Sequence, residues 1–170
     1  MNDIDEERRR FADTLELVGP DAPTNAGAWT AHDVAAHVLS LDRLGGAATF
    51  VGRSVVARGV RLNDRVPQSF ADRALGAVKR RGFEWAIAQL RRPSPWLLTR
   101  RSVHAVGLFE VWTHHEDVRR PNGIPRDAHP DLTPVIEWLR RYGRITEVPD
   151  GPPHDVAYWL AGRDGGPRPV

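Results

Sequence analysis

Apolar residues recur at helical spacing along most of the chain, between short segments rich in Gly and Pro. This pattern predicts helices over residues 5–18, 31–44, 70–81, 83–90, 100–119, 133–142 and 155–161. Residues 52–68 are ambiguous, because the alternation over 55–62 suits a short strand, a loop or an irregular helix. The predicted fold class is all-α, most simply a bundle whose long helices each bury one face.

Polar and conformationally special residues mark the predicted helix ends. Thr30 is an expected N-cap, and Asp33 three residues later completes a capping-box-like pair. Ser69 is expected to cap the third helix, and Gly82 to separate that helix from its continuation. Thr133 and the Pro that follows it suit an N-cap and a first helical turn.

Length and composition limit the class of protein. The chain has 170 residues, which suits one ordinary domain with a real core. It has no apolar run of about 20 residues, and its first residues are charged, so we expect a cytoplasmic protein with no membrane partner. The sequence pI is near 9.6, but the net charge is only +2 and the basic residues are scattered. We therefore expect no nucleic-acid partner.

Candidate chemistry lies on two predicted helices. Glu110 precedes His114 by four residues, so both side chains project from one face, which also carries apolar positions. On the second helix, His37 shares a stripe with Val34 and Val38. A buried carboxylate beside buried imidazoles needs compensation by hydrogen bonds or by a metal. The pattern favours a divalent-metal site on His37, Glu110 and His114 with zinc, iron or nickel; the alternatives are an ordinary ion pair and a hydrogen-bonded core histidine.

Residues near these positions have less specific signals. Asp117, one turn beyond His114, suits an acceptor for the second ring nitrogen of that histidine, or alternatively a salt bridge to Arg119 or Arg120. His115 and Glu116 point away from the stripe. We expect them either to face solvent or to contact the metal ligands without binding the metal themselves. Trp29 is expected to fill space in the hydrophobic core.

Two segments resemble a known family. Residues 27–38, around Trp29 and His37, and residues 110–120, around Glu110 and His114, resemble signatures of the DinB-like superfamily. Within it, they are most similar to the actinobacterial family of mycothiol-dependent maleylpyruvate isomerases. Residues 156–163 also look like the closing motif of that family, whose arginine corresponds to Arg163.

The resemblance implies a DinB-like four-helix bundle over residues 1–145 and a short C-terminal extension over residues 146–170, with short extra helices packed on the bundle. It implies a metal, usually zinc, on His37, Glu110 and His114, mycothiol as a cosubstrate, and a homodimer as an assembly this superfamily often adopts. It also makes Arg163 a contact for substrate or thiol. The segment over residues 143–153 is shorter than the C-terminal domain of the isomerases.

Three functional hypotheses follow. In the first, the metal serves an enzyme that uses a low-molecular-weight thiol for transfer to, or isomerisation of, a small-molecule substrate. The chain has no cysteine, so the thiol would come from outside. In this hypothesis Asp117 orients a ligand, and Arg163 or Arg120 anchors an anionic substrate. In the second, metal-bound water acts in a hydrolase, with Glu116 as the candidate base. The third is a non-catalytic helical module that binds a ligand or a partner.

Overall fold

The structure, a computed structural model, describes residues 3–42, 73, 75–95, 103–143 and 149–163. The helices within these ranges are α1 (Asp3–Val18), α2 (Ala31–Leu41), α3 (Phe83–Leu90), α4 (His104–Arg119), α5 (Thr133–Gly143) and α6 (Pro153–Leu160). Residues 75–79 are also helical, and no residue within the described ranges lies in a strand. The predicted all-α class is confirmed for this part of the chain.

Most predicted helices are present, with ends that differ by a few residues. The break at Gly82 is confirmed, because its φ of 90° is a conformation that favours glycine. The capping box of α2 is confirmed as well, with Thr30 and Asp33 bonded reciprocally. α6 begins earlier than predicted because Pro153 occupies its first turn. The predictions for residues 52–68 and Ser69 lie outside the described residues.

α4 is the central helix of the described structure. α1 and α2 each pack against both α3 and α4, while α5 and α6 pack against α4 and against each other. Large apolar side chains fill the space between them, including Phe11 and Leu15 from α1, Val34 from α2 and Trp112 from α4, all with no exposed surface. None of the described helices is both long enough and apolar enough to cross a bilayer.

Because four helices surround it, α4 is buried on nearly every side. The expectation that His115 and Glu116 face solvent is wrong, since they are only 3% and 0% exposed. Both side chains lie next to other buried charged side chains, some of which belong to α1. Charged side chains at such positions require partners, because removing a charge from water is costly.

His115 joins α1 to α4. Its Nε2 lies 2.8 Å from the hydroxyl of Thr14, and its Nδ1 lies 2.6 Å from a carboxylate oxygen of Glu7. The ring also stacks on Phe11 with a centroid distance of 5.4 Å. These contacts satisfy both ring nitrogens of a nearly buried histidine, so they fix how α1 lies on α4.

Arg126 connects the carboxylates of α1 and α4. Its guanidinium donates to both carboxylate oxygens of Glu7, and its Nε lies 2.9 Å from Oε1 of Glu116. Arg119 also donates to both oxygens of Glu116, at 3.0 and 2.7 Å. The two buried carboxylates are thus held by arginines from α4 and from the segment that follows it.

We predict that Arg126→Met destabilises the protein by about 3 kcal/mol, because it leaves Glu7 and Glu116 buried with less compensation. Arg10→Met is the matched control. Arg10 pairs with Glu6 on the surface, where both side chains are more than 40% exposed, and its loss should cost under about 1 kcal/mol. Urea unfolding of both variants and the unmodified protein measures the difference. Equal losses in the two variants would contradict the assignment.

Candidate metal centre

α2 and α4 bring three potential metal ligands together. His37 lies on the side of α2 that packs against α4, and Glu110 and His114 lie one helical turn apart on α4. The donor atoms of these three side chains all lie within 4.8 Å of one another. Within the described residues they form a group able to hold a metal ion. The predicted convergence of His37 with Glu110 and His114 is therefore present.

Both histidines face the same carboxylate oxygen. Nε2 of His114 lies 3.6 Å from Oε2 of Glu110, and Nε2 of His37 lies 3.9 Å from that oxygen. These distances are too long for hydrogen bonds. They are close to the separation of about 3.4 Å expected between two atoms that bind one ion tetrahedrally with bonds near 2.1 Å. The donor set and its spacing fit a divalent cation.

The three side chains are only partly buried. The exposed fractions are 20% for His37, 28% for Glu110 and 11% for His114. The carboxylate of Glu110 and the ring of His37 therefore both have solvent-accessible surface. Three protein ligands with solvent access are typical of metal sites that keep a position open for water or substrate.

Asp117 bonds the ring nitrogen of His114 that does not face Glu110. Its Oδ2 lies 3.1 Å from Nδ1 of His114, so the predicted hydrogen bond is present, and Nε2 is left to face Glu110. Asp117 itself has no exposed surface. A carboxylate in this position fixes the tautomer and orientation of an imidazole ligand. The alternative prediction, a salt bridge from Asp117 to Arg119 or Arg120, is wrong, since both of these arginines pair with Glu116.

The cation that pairs with Asp117 is Arg163. Its Nε and Nη2 each donate to Asp117 at 2.7 Å, and its Nη1 donates to the carbonyl of Ala161. Burial alone would raise the pKa of Asp117, but the hydrogen bonds from Arg163 and His114 outweigh it and lower that pKa. The bonds to Asp117 raise the pKa of Arg163, and the negative charge of Glu110 adds to this effect. Arg163 is therefore linked to His114 through Asp117.

Arg120 belongs to a different network. Its Nε donates to Glu116 at 2.7 Å, and its guanidinium carbon lies 3.8 Å from the ring centroid of Tyr158. Burial would raise the pKa of Glu116, but hydrogen bonds from Arg119 and Arg120 and the charge of Arg126 lower it to about 2. The structure thus connects Asp117 and Arg163 to His114 of the candidate ligand group, and it connects Arg120 to Glu116.

Sequence reasoning missed the part played by the segment before α2. Trp29, expected only as a core plug, has its ring centroid 5.1 Å from that of His37 and 6.5 Å from that of His114. Asn25 donates its backbone N–H to the carbonyl of Asp117 and its amide to the hydroxyl of Tyr158. The sequence does hold a signal for this contact. Trp29 lies directly before the N-cap of α2, about two helical turns from His37.

A cavity lies on a different side of α4. It has a volume of about 220 Å³ and is lined by residues that include Thr14, His115 and Arg126. None of the three metal-site residues lines it. The cavity is therefore separate from the candidate centre.

Comparison with known proteins returns no match: no family model, no curated protein and no solved structure matches the chain.

We predict that Asp117→Asn loosens the C-terminal segment. The neutral amide cannot hold Arg163 as an ion pair, and this pair joins the segment after α6 to α4. Amide hydrogen exchange over residues 153–163, measured by mass spectrometry, should become on the order of 10-fold faster. Asp155→Asn is the control, since Asp155 is 59% exposed and lies 3.7 Å from Arg120. If Asp117→Asn exchanges at the unmodified rate, the ion pair does not anchor this segment.

Proposed function

We propose that this protein is a divalent-metal-dependent enzyme that uses a low-molecular-weight thiol in a transfer or isomerisation reaction. One observation carries the proposal. Two imidazole nitrogens and one carboxylate converge at a partly exposed site. The chain has no cysteine of its own, so a sulfur nucleophile at this site would come from a cosubstrate.

Zinc is the first candidate for the metal. Imidazole nitrogen and carboxylate oxygen are common zinc ligands in catalytic sites, where three protein groups leave a fourth position open. Iron and nickel accept the same donor types. The absence of thiolate ligands in the chain argues against metals that select sulfur.

Each residue has a distinct task in this proposal. His37, Glu110 and His114 hold the ion, and Asp117 fixes the ring of His114. When bound, the ion supplies positive charge that lowers the pKa of a coordinated thiol and stabilises its thiolate form at neutral pH. Arg163 has three hydrogen bonds, which use only part of its donor set, and its side chain is 25% exposed. It is our candidate to anchor an anionic group of the substrate.

The chemistry of such a site follows from the thiolate. Its sulfur donates an electron pair to an electrophilic carbon and forms a C–S bond. In transfer, the carbon expels a leaving group that takes the bonding electrons. In isomerisation, the attack breaks the π bond of a carbon–carbon double bond conjugated to a carbonyl, and the π electron pair moves to the carbonyl oxygen. After rotation about the resulting single bond, the electron pair re-forms the double bond and expels the sulfur as thiolate. The protein contributes by holding the sulfur and the electrophile close together.

The motif resemblance points to a more specific identity. We propose that the chain belongs to the DinB-like superfamily, in the branch of mycothiol-dependent maleylpyruvate isomerases, and that mycothiol is its thiol. The support is twofold. Residues 27–38 and 110–120 resemble the signatures of that branch, and the ligand set they imply, His37, Glu110 and His114, meets at one site.

The hydrolase alternative is weaker because of Glu116. A hydrolase needs a general base near the metal-bound water. Glu116 is fully buried, pairs with Arg119, Arg120 and Arg126, and has a pKa lowered to about 2. A carboxylate held in this way is a poor proton acceptor at neutral pH. The thiol reaction does not require a base at this position.

We predict that cobalt-substituted protein binds mycothiol through sulfur. Adding mycothiol, or N-acetylcysteine as a small-thiol probe, should produce a near-ultraviolet sulfur-to-cobalt charge-transfer band. It should also allow thiol consumption when an electrophilic acceptor is supplied. His37→Ala should reduce both signals by at least about 100-fold through loss of a ligand. His104→Ala, which removes a histidine at the start of α4, should retain them.

Three outcomes would contradict the proposal. A protein that binds cobalt but shows no sulfur band has no thiol function at this metal. Turnover of an ester or amide in thiol-free buffer would favour the hydrolase. Failure to bind any divalent ion would favour the non-catalytic module.

A further inference from the structure

We propose that Trp29 is a positioning residue of the metal centre. Its indole holds the imidazoles of His37 and His114 in the orientation that binds the ion, and so helps to set metal affinity and coordination geometry. This inference rests on the metal site of the proposed function, and it extends that site to a residue outside the ligand set.

The three rings form one packed group. The centroids of Trp29 and His37 lie 5.1 Å apart with an interplanar angle of 49°, and those of Trp29 and His114 lie 6.5 Å apart at 33°. The two imidazoles are 4.8 Å apart and nearly perpendicular, at 77°. The indole thus lies next to both ligand rings. A rotation of either imidazole changes its packing against the indole.

The backbone of Trp29 is fixed on both sides. Its carbonyl accepts a hydrogen bond from the hydroxyl of Thr24 at 2.7 Å, and that hydroxyl in turn accepts from the N–H of Ala26 at 3.1 Å. On the other side, Thr30 is the N-cap of α2, where it is bonded reciprocally with Asp33. A side chain attached to such a fixed backbone can provide a rigid surface against which the imidazoles pack.

The segment that carries Trp29 is also tied to the support of His114. Asn25 donates its backbone N–H to the carbonyl of Asp117 at 2.9 Å. Asp117 is the residue that bonds Nδ1 of His114. The segment before α2 and the support of the second histidine therefore share a connection. A shift of this segment would therefore change the surroundings of both imidazole rings.

The indole acts most directly on the ring of His37. The ring of His37 is 20% exposed, and the indole packs closer to it than to His114. A ligand ring that is already oriented loses less rotational freedom when it binds the ion. Removing the indole should therefore weaken metal binding without removing a ligand.

The experiment compares Trp29→Leu and Trp29→Phe with the unmodified protein. Zinc affinity is measured by competition with a chromophoric chelator, and coordination geometry by the visible spectrum of the cobalt form. We expect Trp29→Leu to weaken zinc binding by about 10- to 100-fold, the range typical of residues that orient metal ligands. Its cobalt bands should change in position or intensity. Trp29→Phe keeps an aromatic ring, so it should show a smaller change, about threefold.

Trp85→Leu is the matched control. Trp85 is a partly buried tryptophan on α3 that lies under the guanidinium of Arg81 at 4.8 Å. Its replacement removes the same type of side chain from a helix that carries none of the three candidate ligands. We expect its zinc affinity and cobalt spectrum to match those of the unmodified protein, even if its thermal stability falls.

The outcomes separate the two proposals. If Trp29→Leu loses stability but keeps the zinc affinity and cobalt spectrum of the unmodified protein, Trp29 is a packing residue only and this inference is overturned. If Trp29→Leu does not fold, Trp29→Phe decides: a changed cobalt spectrum supports positioning, and an unchanged spectrum with unchanged affinity overturns it. If the unmodified protein binds no metal, the proposed function and this inference both fail.

Discussion

The structure depends on one constraint: α4 is enclosed by other helices while carrying ionisable side chains on more than one side. Glu116 and Asp117 have no exposed surface, and His115 is nearly buried. Each of these groups is costly to bury without a partner. Their partners come from α4 itself, from α1, from the segment after α4 and from the segment after α6, so the same contacts that satisfy the charges also assemble the helices.

The two polar sides of α4 have different chemistry. Around Glu116, arginines neutralise a carboxylate and lower its pKa, which suits a structural network. Around Glu110, two imidazoles face a partly exposed carboxylate without bonding it directly. The side around Glu116 is distinguished by several hydrogen bonds to one carboxylate. The side around Glu110 is distinguished by donor atoms that converge at the spacing of metal ligands. Asp117 lies between them, because it supports His114 and is itself held by Arg163.

The fold class and the shared face of Glu110 and His114 could be predicted because both depend on local periodicity. Glu110 and His114 share a face through helical spacing alone, and the capping box of Thr30 and Asp33 sets where α2 begins. Contacts between distant segments carry no such signal. Arg126 meets Glu7 across 119 positions of the chain, and Arg163 meets Asp117 across 46. The burial of His115 and Glu116 was missed because one helix sequence does not show how many neighbours surround it.

The most direct test of the central claim is the metal content of the protein, purified without a histidine tag and measured by plasma mass spectrometry. The account predicts about one equivalent of zinc, iron or nickel per chain. That metal should be lost in Glu110→Gln and retained in Glu84→Gln, whose carboxylate lies exposed in the first turn of α3. Metal-free protein that takes up no divalent ion on incubation, or equal metal content in Glu110→Gln, would contradict it.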